Sequence, residues 1–396
     1  MRVAYISSYL PRKCGIATFT NDLTLAIDKL GVVDPSVIIA MTDPGQKYTY
    51  TDRVKMQINQ FEILDYDKVV DYINNSEIDI VSLQHEYGLY SGPKGIYLES
   101  QLSVDDINMI ESDIYLLSML DKINKPIVTT FHSILSSPTS QQLYVAKRIM
   151  QSSSYVVAMT DISRQYLIDV YGCPVDKVVV ISHGVPDFDF NHKELYRGKI
   201  GLKEESPIIL ASGLLGPGKE LEYVIDAMSL IVKRIPQAKL LIVGQTHPVI
   251  IKNEGEAYRD MLTKIVHDKR LDNNVDFVNK YLDESDLMGY FQASDFFVTA
   301  YSNMQQSASG TLAWALGSGK ICISTPYQYA KELLSDGSGV LIEPRSPSAI
   351  AESVIRLYDN PSDAKRICKK AYIKGHRSVW SNVAMDYVKL FSRTLQ

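Results

Sequence analysis

The stretch IILASGLLGPGKELEYVIDAMSLIVKRI, from Ile208 to Ile235, contains the elements that decide the fold. Its first five residues are small or apolar and predict a short buried strand. From Leu221 onward, apolar residues recur at helical spacing and predict a helix. The loop between the two contains three glycines and Lys219. A buried strand, a glycine-bearing loop and a helix are typical of an α/β domain built around a parallel sheet.

The same order of elements opens the chain, where the strand Val3–Ser7 is followed by Gly15 and a helical pattern over Thr18–Leu30. Between these two beginnings, the polar and charged stretch Asp187–Gly201 interrupts the pattern and indicates an interdomain linker. The chain has 396 residues, of which 45% are hydrophobic, and is long enough for two domains with cores of their own. We predict two doubly wound α/β domains, 1–195 and 196–378, and a last helical segment, 379–396, that could pack back on the first domain.

Strands and helices alternate in both halves, which predicts mostly parallel sheets with helices on both faces. Ligands of such sheets bind beyond the carboxyl ends of the strands, so the loops that follow strands are the candidate sites. Predicted helices include Tyr66–Asn75, Ile110–Ile123 and Leu312–Gly317. The predicted strands are Val3–Ser7, Ser36–Ala40, Gln57–Asn59, Ile78–Leu83, Pro126–Phe131, Tyr155–Met159 and Val178–Ile181, followed by Ile208–Ser212, Lys239–Val243, Val275–Val278, Phe296–Thr299, Ile321–Ser324 and Gly339–Ile342.

Composition and charge argue against several classes of protein. Lys and Arg number 41 and Asp and Glu 46, and the resulting formal net charge of −5 argues against a nucleic-acid-binding surface. No apolar run reaches the roughly 18 residues of a membrane span, and the opening MRVAYISSYLPRKCG lacks the pattern of a secretory signal. We therefore predict a cytoplasmic protein with no transmembrane segment. Its cysteines are too scattered for a Cys-x-x-Cys metal or redox motif; they are Cys14, Cys173, Cys322 and Cys368.

Two loops of the second half have the chemistry of a phosphate site. Lys219 lies among glycines at the start of a predicted helix, and a compact cation beside free backbone amides suits phosphate. The stretch Ser307–Thr311 places small hydroxyl residues and a glycine at the start of another predicted helix, which provides amide donors and capping hydroxyls. A solvated lysine in a flexible turn and a plain helix cap are the alternatives. Two such loops in one domain favour a diphosphate and hence a nucleotide.

Three loops of the first half could act on a bound substrate. Gly15 opens the first helix, where a backbone without a side chain can approach an anion, and a tight turn is the alternative. His85 and His132 each follow or end a predicted strand, and a histidine there can position a hydroxyl group or move a proton. Each could also be a core histidine whose hydrogen bonds are satisfied. No Asp or Glu accompanies them at zinc-ligand spacing, so we predict no metal site.

Taken together and in order, these motifs resemble those of the retaining family 4 glycosyltransferases, which have the GT-B fold. The resemblance runs through most of the chain and is weakest from about Gly95 to Ile123. The matching segments are Cys14–Ala17, Ile181–Val185 (similar to the family's I-P-N-G-[IV]), Gly213–Lys219 (similar to G-R-L-x-x-x-K-G), Leu241–Gly244 and Ala315–Gly319 (similar to A-M-A-x-G).

The resemblance implies two Rossmann-like domains that face a central cleft, with the donor in the second domain and the acceptor in the first. It implies transfer of a sugar from a nucleotide diphosphate sugar to a carbohydrate or related hydroxyl acceptor, with retained anomeric configuration. The nucleotide sugar is then a co-substrate, and no metal or other cofactor is implied. The implied site residues are Gly213, Lys219, Ser309, Gly310 and Thr311 on the donor phosphates, Gly15 approaching them from the first domain, and His132, with His85 as a second candidate, beside the sugar.

Two departures from the family's pattern matter for the proposed donor contacts. Leu214 stands where the family has the arginine of G-R-L, which removes a cation from the phosphate side. Gln306 and Trp314 stand where the family has the two carboxylates of Glu-x7-Glu, which contact the donor sugar and the ribose. Gln306 can still form hydrogen bonds with sugar hydroxyls. Trp314 would either pack into the core or form a wall against the nucleoside, and Glu332 is then a candidate to hold the ribose.

Two other functions are compatible with these residues. A phosphate-dependent enzyme of the same fold, such as a glycan phosphorylase, would bind inorganic phosphate in place of the donor diphosphate. A catalytically silent protein of this fold would bind a sugar or a partner without transferring anything. Stabilisation by nucleotides distinguishes the transferase from the silent protein, and phosphate-dependent cleavage of oligosaccharides identifies the phosphorylase.

Overall fold

The computed structural model describes residues 1–92, 113–190, 193–201 and 207–396. The chain divides into two compact units, one formed by Met1–Gly184 with Trp380–Gln396 and the other by Val185–Val379. The second unit thus begins earlier than the predicted boundary between residues 195 and 196. Each unit contains one parallel sheet with helices, which confirms the predicted α/β fold. Residues 110–112 of the predicted helix Ile110–Ile123 lie outside the described ranges.

The strands of the first unit are β1 (Val3–Ser7), β2 (Val37–Thr42), β3 (Val54–Asn59), β4 (Ile80–His85), β5 (Ile127–Phe131), β6 (Tyr155–Ala158) and β7 (Val178–Val180). They form a seven-stranded parallel sheet in the order β3-β2-β1-β4-β5-β6-β7. The order reverses at β1, where Ala4 lies beside Val37 of β2 and Val3 beside Ile80 of β4. Such a reversal leaves a crevice at the carboxyl ends of the strands, where doubly wound sheets bind ligands.

Helices of the first unit bury one apolar face against this sheet. In the first of them, the residues Phe19, Leu23 and Ile27 recur every four positions and are buried. That helix ends at Gly31, whose φ of 64° lies in the left-handed region that favours glycine. The helices are α1 (Gly15–Leu30), α2 (Ile63–Asn75), α3 (Ile114–Lys122), α4 (Ser140–Ser152) and α5 (Asp161–Asp169).

The strands of the second unit are β8 (Ile208–Ser212), β9 (Lys239–Val243), β10 (Val275–Val278), β11 (Phe296–Thr299), β12 (Ile321–Ser324) and β13 (Val340–Leu341). They form a six-stranded parallel sheet in the order β10-β9-β8-β11-β12-β13. Its order reverses at β8, which pairs with β9 on one side and with β11 on the other. The loops that follow these three strands therefore meet at the edge where a ligand is expected.

The helices of the second unit are α6 (Lys193–Lys199), α7 (Leu221–Arg234), α8 (Pro248–Glu254), α9 (Ala257–Asp268), α10 (Glu284–Ala293), α11 (Gly310–Gly317), α12 (Gln328–Leu334), α13 (Pro347–Asp359) and α14 (Pro361–Gly375). The glycine-rich loop after β8 contains one short 3₁₀ turn, Pro217–Lys219, directly before α7. Two helices begin where strand-end loops finish: α7 follows the loop of β8, and α11 follows the loop of β11. Both predicted phosphate loops therefore lead into helix starts.

The last helix, α15 (Trp380–Thr394), belongs to the first unit. Its Tyr387 hydroxyl lies 2.9 Å from Thr130 Oγ1 in β5. Its Phe391 ring packs edge-on against Tyr5 of β1, with 6.3 Å between the ring centroids. These contacts bind the end of the chain to the first sheet.

Within the described ranges, no helix has both the length and the apolar character needed to cross a bilayer.

Gly184 is the last residue of the segment Met1–Gly184, and it lies against the ring of Trp380, where the chain returns to the first unit. A Cβ atom at position 184 would lie 2.1 Å from a carbon of that ring, which no side chain tolerates. The Trp380 ring is itself held by Phe19 of α1, with 5.3 Å between the ring centroids. A glycine at 184 therefore allows the start of α15 to pack against α1.

Gly184→Ala should destabilise the first unit, because the added methyl group must displace Trp380 or the backbone. Overpacking of this kind costs about 1–3 kcal/mol. Urea unfolding followed by tryptophan fluorescence measures the shift of the midpoint. Gly92→Ala is the matched control, because a Cβ there would lie 3.7 Å from Tyr115, an ordinary contact. Equal midpoints for Gly184→Ala and the wild type would show that this contact does not constrain the fold.

Candidate functional site

The loops that follow β8 and β9 touch through their backbones. Gly213 has a φ of 121° and Gly244 a φ of 140°, both in the region that favours glycine. A Cβ on Gly244 would lie 2.1 Å from the Gly213 carbonyl oxygen, so a side chain at 244 would separate the loops. The Gly213 N–H donates to Val243 O at 3.0 Å, and the Leu215 N–H donates to Gln245 O at 2.9 Å. The glycine-rich loop is therefore fixed against the strand ends.

Lys219 lies at the centre of a cluster formed by this loop and α11. Its ammonium donates to the Tyr301 hydroxyl at 2.7 Å, and a Cβ on Gly213 would lie 3.1 Å from Lys219 Nζ. The Tyr301 hydroxyl also lies 3.4 Å from Thr311 Oγ1. The Tyr301 ring stacks on Tyr327, with 5.1 Å between the centroids. The structure thus brings together three predicted phosphate residues, Lys219, Gly213 and Thr311.

The pKa of Tyr301 responds to the positive charge beside it. Burial alone would raise the pKa of this phenol, but the Lys219 ammonium, with hydrogen bonds from Lys219, Thr311 and Ser309, lowers it below its ordinary value. Among the described residues, Lys219 forms a hydrogen bond to Tyr301 and no ion pair with a carboxylate. The adjacent carboxylate of Glu220 is paired instead with Arg345, at 2.9 Å. The charge of Lys219 is therefore available to a bound anion.

The start of α11 contributes backbone donors to the same cluster. Ser309 precedes the helix, and its Oγ accepts the Leu312 N–H at 3.4 Å. The first N–H groups of a helix have no intrahelical acceptor, and they carry the positive end of the helix dipole. Gly310 and Thr311 supply such N–H groups, and the Thr311 side chain links them to Tyr301. The arrangement suits a phosphate group.

The residues predicted on the sugar and nucleoside side occupy three different environments. Gln306 is half-buried, and its Nε2 donates to the carbonyl oxygen two residues later at 3.0 Å. Trp314 is 6% exposed, and its ring lies 5.8 Å from those of Phe188 and Phe291. The Trp314 ring is therefore buried among aromatic side chains of the second unit. Glu332 is half-buried on α12.

In the first unit, His132 follows β5 and lies among aromatic rings. Its Nε2 lies 3.0 Å from Gln84 Oε1 in β4, and its ring is 4.8 Å from that of Phe19. The Phe19 ring also packs edge-on against the His183 ring, with 5.1 Å between the ring centroids. Burial, followed by the neighbouring His183 and His85, lowers the pKa of His132 to about 3. At neutral pH the imidazole is therefore uncharged, and its Nε2–H donates to Gln84.

His85 is enclosed in the core of the first unit. Its Nε2 lies 3.2 Å from Asp113 Oδ2, and both side chains are fully buried. A backbone hydrogen bond, from the His132 N–H to His85 O at 2.9 Å, joins the two predicted histidines. The structure therefore makes His85 half of a buried His–Asp pair behind His132. The rings around His85 are those of Tyr87, Tyr90 and Phe131.

Gly15 is the first residue of α1 and is exposed. The preceding residue, Cys14, caps the helix: its Sγ accepts the Ala17 N–H at 3.3 Å. A Cβ on Gly15 would meet no atom within 4 Å, and the φ of Gly15 lies outside the left-handed region. Neither packing against the described residues nor a left-handed turn therefore explains the glycine, and the approach of its backbone to an anion stays a prediction.

Sequence reasoning missed four residues of these clusters. Gln84 and Tyr301 lie at strand ends, and their position could have revealed them. His247 follows β9 in the same way and donates its backbone N–H to Leu215 O at 2.8 Å. The position of Asp113 in the sequence gives no such indication, because Asp113 pairs with a residue 28 positions earlier.

In the part of the chain that the structure describes, no three His, Cys, Asp or Glu side chains are grouped to hold a metal ion.

Two family models of glycosyltransferases match parts of the chain. The family model of glycosyl transferases group 1 matches residues 192–374, and that of glycosyltransferase family 4 matches residues 111–187. A D-inositol 3-phosphate glycosyltransferase from Kineococcus radiotolerans is 22% identical over 262 residues, which are 63% of this chain and 59% of the relative. The chain thus spans less than two thirds of the length of this relative.

Two solved structures share the fold over almost the whole chain. Sucrose-phosphate synthase from Thermosynechococcus elongatus has a TM-score of 0.75 at 18% identity, and the alignment covers 99% of this chain and 98% of that one. HepE from Anabaena, solved in complex with UDP-glucose, has a TM-score of 0.72 at 16% identity, with coverage of 99% and 100%. These likenesses confirm the predicted GT-B fold class, and the two family matches confirm the predicted resemblance to the family 4 glycosyltransferases.

Proposed function

We propose that this chain transfers a sugar from a nucleoside diphosphate sugar to a hydroxyl group of a carbohydrate or related acceptor, with retention of configuration. The observation that carries the proposal is the Lys219 ammonium, 2.7 Å from Tyr301 and without a carboxylate partner among the described residues, in one cluster with the start of α11. The matches to two glycosyltransferase family models support the class of reaction. The complex of HepE with UDP-glucose supports a nucleotide sugar as the donor.

In this proposal, Lys219 and the first amides of α11 stabilise the leaving group. When the bond between the sugar and the diphosphate breaks, negative charge grows on the phosphate oxygens. Cations and N–H groups that are already in place lower the energy of that transition state without reorganisation. Tyr301, held by stacking on Tyr327, keeps the lysine in position until a phosphate oxygen replaces the phenol as its acceptor.

Retention follows if the acceptor attacks from the face on which the diphosphate leaves. The bond from the anomeric carbon to the acceptor oxygen forms as the bond to the phosphate oxygen breaks, and the phosphate oxygen takes the acceptor's proton. No side chain becomes bonded to the sugar, so the scheme needs no carboxylate nucleophile. His132, which is uncharged at neutral pH, is suited to form a hydrogen bond with a sugar hydroxyl.

One observation favours a second candidate, a protein of this fold that binds a nucleotide sugar without transferring it. Gln306 and Trp314 replace two carboxylates of the family pattern, and Trp314 is in the core. Binding without turnover, measured with UDP-, GDP- and ADP-glucose as donors, would support this candidate over the transferase.

Lys219→Ala should weaken binding of nucleoside diphosphates, because it removes a charge-assisted hydrogen bond. The expected loss is about 1.5–3 kcal/mol, which corresponds to roughly 10- to 150-fold in the dissociation constant. Titration calorimetry with UDP, GDP and ADP measures it. Lys252→Ala, which removes an exposed lysine of α8 in the same unit, is the matched control. Unchanged affinity in Lys219→Ala would remove this residue from the donor site.

His132→Ala should lower turnover and leave the affinity for the nucleoside diphosphate nearly unchanged, since His132 and Lys219 belong to different units. Steady-state transfer or hydrolysis of the preferred nucleotide sugar measures the first quantity, and calorimetry the second. His132→Gln, which keeps a hydrogen-bonding side chain in the buried position, separates a loss of function from a loss of packing. Wild-type turnover in both variants would show that the histidine is structural.

A further inference from the structure

His247 lies on the loop after β9, and this loop is paired with the glycine-rich loop after β8. The Leu215 N–H donates to Gln245 O at 2.9 Å, and the His247 N–H donates back to Leu215 O at 2.8 Å. Leu215 and Thr246 thereby form a short parallel bridge beyond the ends of the two strands. The backbone of His247 is therefore fixed relative to the loop that carries Lys219.

Among the described residues, one ring nitrogen of His247 accepts a hydrogen bond and the other has no hydrogen-bond partner. The Val249 N–H donates to Nδ1 at 3.2 Å, so Nδ1 is an acceptor and the proton of the neutral ring is on Nε2. The ring is half-buried. Burial, and then the charge of Lys219, lower the pKa of His247 from its usual value. The ring is therefore an uncharged donor at neutral pH, within the electrostatic range of Lys219, which has no carboxylate partner among the described residues.

The carboxylates that follow His247 in the chain are either paired or exposed. The neighbouring Thr246 hydroxyl donates to Glu256, and Glu256 also accepts Arg259 Nε at 3.3 Å. The charged side chains of α8 are exposed; they are Lys252 and Glu254. The charge that acts on the His247 ring is that of Lys219. A ligand between the two residues would therefore meet one cation and one N–H donor.

We infer that His247 is a further phosphate-binding residue of the donor site, which donates its Nε2–H to the diphosphate as a neutral imidazole. The inference rests on the proposed function, because it requires the donor to bind at Lys219. It also accounts for a departure from the family: Leu214 takes the place of an arginine on the β8 loop, and His247 supplies a donor from the paired loop. An uncharged donor beside Lys219 avoids the repulsion that a second cation would add to the free protein.

His247→Asn tests this inference, because the asparagine Oδ1 can still accept the Val249 N–H, while the asparagine Nδ2 does not reach the position of the imidazole Nε2. Calorimetry should show about 3- to 10-fold weaker binding of whichever of UDP, GDP and ADP binds the wild type most tightly, the range of one neutral hydrogen bond. Affinity for the corresponding nucleoside should not change. His267→Asn is the matched control, since the His267 side chain is 81% exposed in the same unit.

The remaining outcomes separate this inference from the proposed function. If Lys219→Ala weakens binding and His247→Asn does not, the role of His247 is wrong and the donor site stands. If the wild type binds none of the three nucleotides, the proposed donor site itself fails. Equal losses for the nucleoside and the diphosphate, or proton uptake on binding that His247→Asn abolishes, would contradict a neutral donor to phosphate.

Discussion

The close approach of Gly213 and Gly244 is the constraint on which the proposed donor site of the second unit depends. A Cβ at 244 would lie 2.1 Å from the Gly213 carbonyl oxygen, so the loops after β8 and β9 can meet only where a side chain is missing. Their meeting fixes the start of the glycine-rich loop. It also puts Lys219 Nζ 3.1 Å from the place that a Gly213 side chain would occupy. Two glycines thus hold a cation and a histidine at one edge of the second sheet.

The electrostatics of this edge depend on how the neighbouring carboxylate is held. Glu220 follows Lys219 directly, at a position where the family's pattern has glycine, and its φ of 47° lies in the left-handed region. Such a conformation costs free energy in a residue with a side chain and persists where the surroundings enforce it. The ion pair with Arg345 directs the Glu220 carboxylate to another partner. A residue that could neutralise the lysine is therefore bound away from it.

Much of the fold could be predicted from the sequence, because runs such as Ile208–Ser212 are apolar and are followed by glycine and then by a helical pattern. Lys219 and Thr311 are predicted for the same reason: they lie at or beside helix starts, after loops that follow strands. Contacts between distant parts of the chain were not accessible in this way. Nothing in the order of residues shows that Asp113 pairs with His85, or that the Tyr301 hydroxyl accepts a hydrogen bond from the Lys219 ammonium. The sequence likewise allows two environments for Trp314, the core or a wall against a nucleoside, because the aromatic residues that enclose its ring come from separate segments.

The central claim is that the second unit holds the phosphates of a nucleotide through Lys219 and the start of α11. It is tested most directly by the affinities of the wild-type chain for a nucleoside, its monophosphate and its diphosphate, measured by calorimetry at low and at high salt. We expect affinity to rise with each phosphate and the advantage of the diphosphate to shrink with salt, because the added interactions are largely electrostatic. Equal affinity for the nucleoside and the diphosphate at low salt would contradict this account.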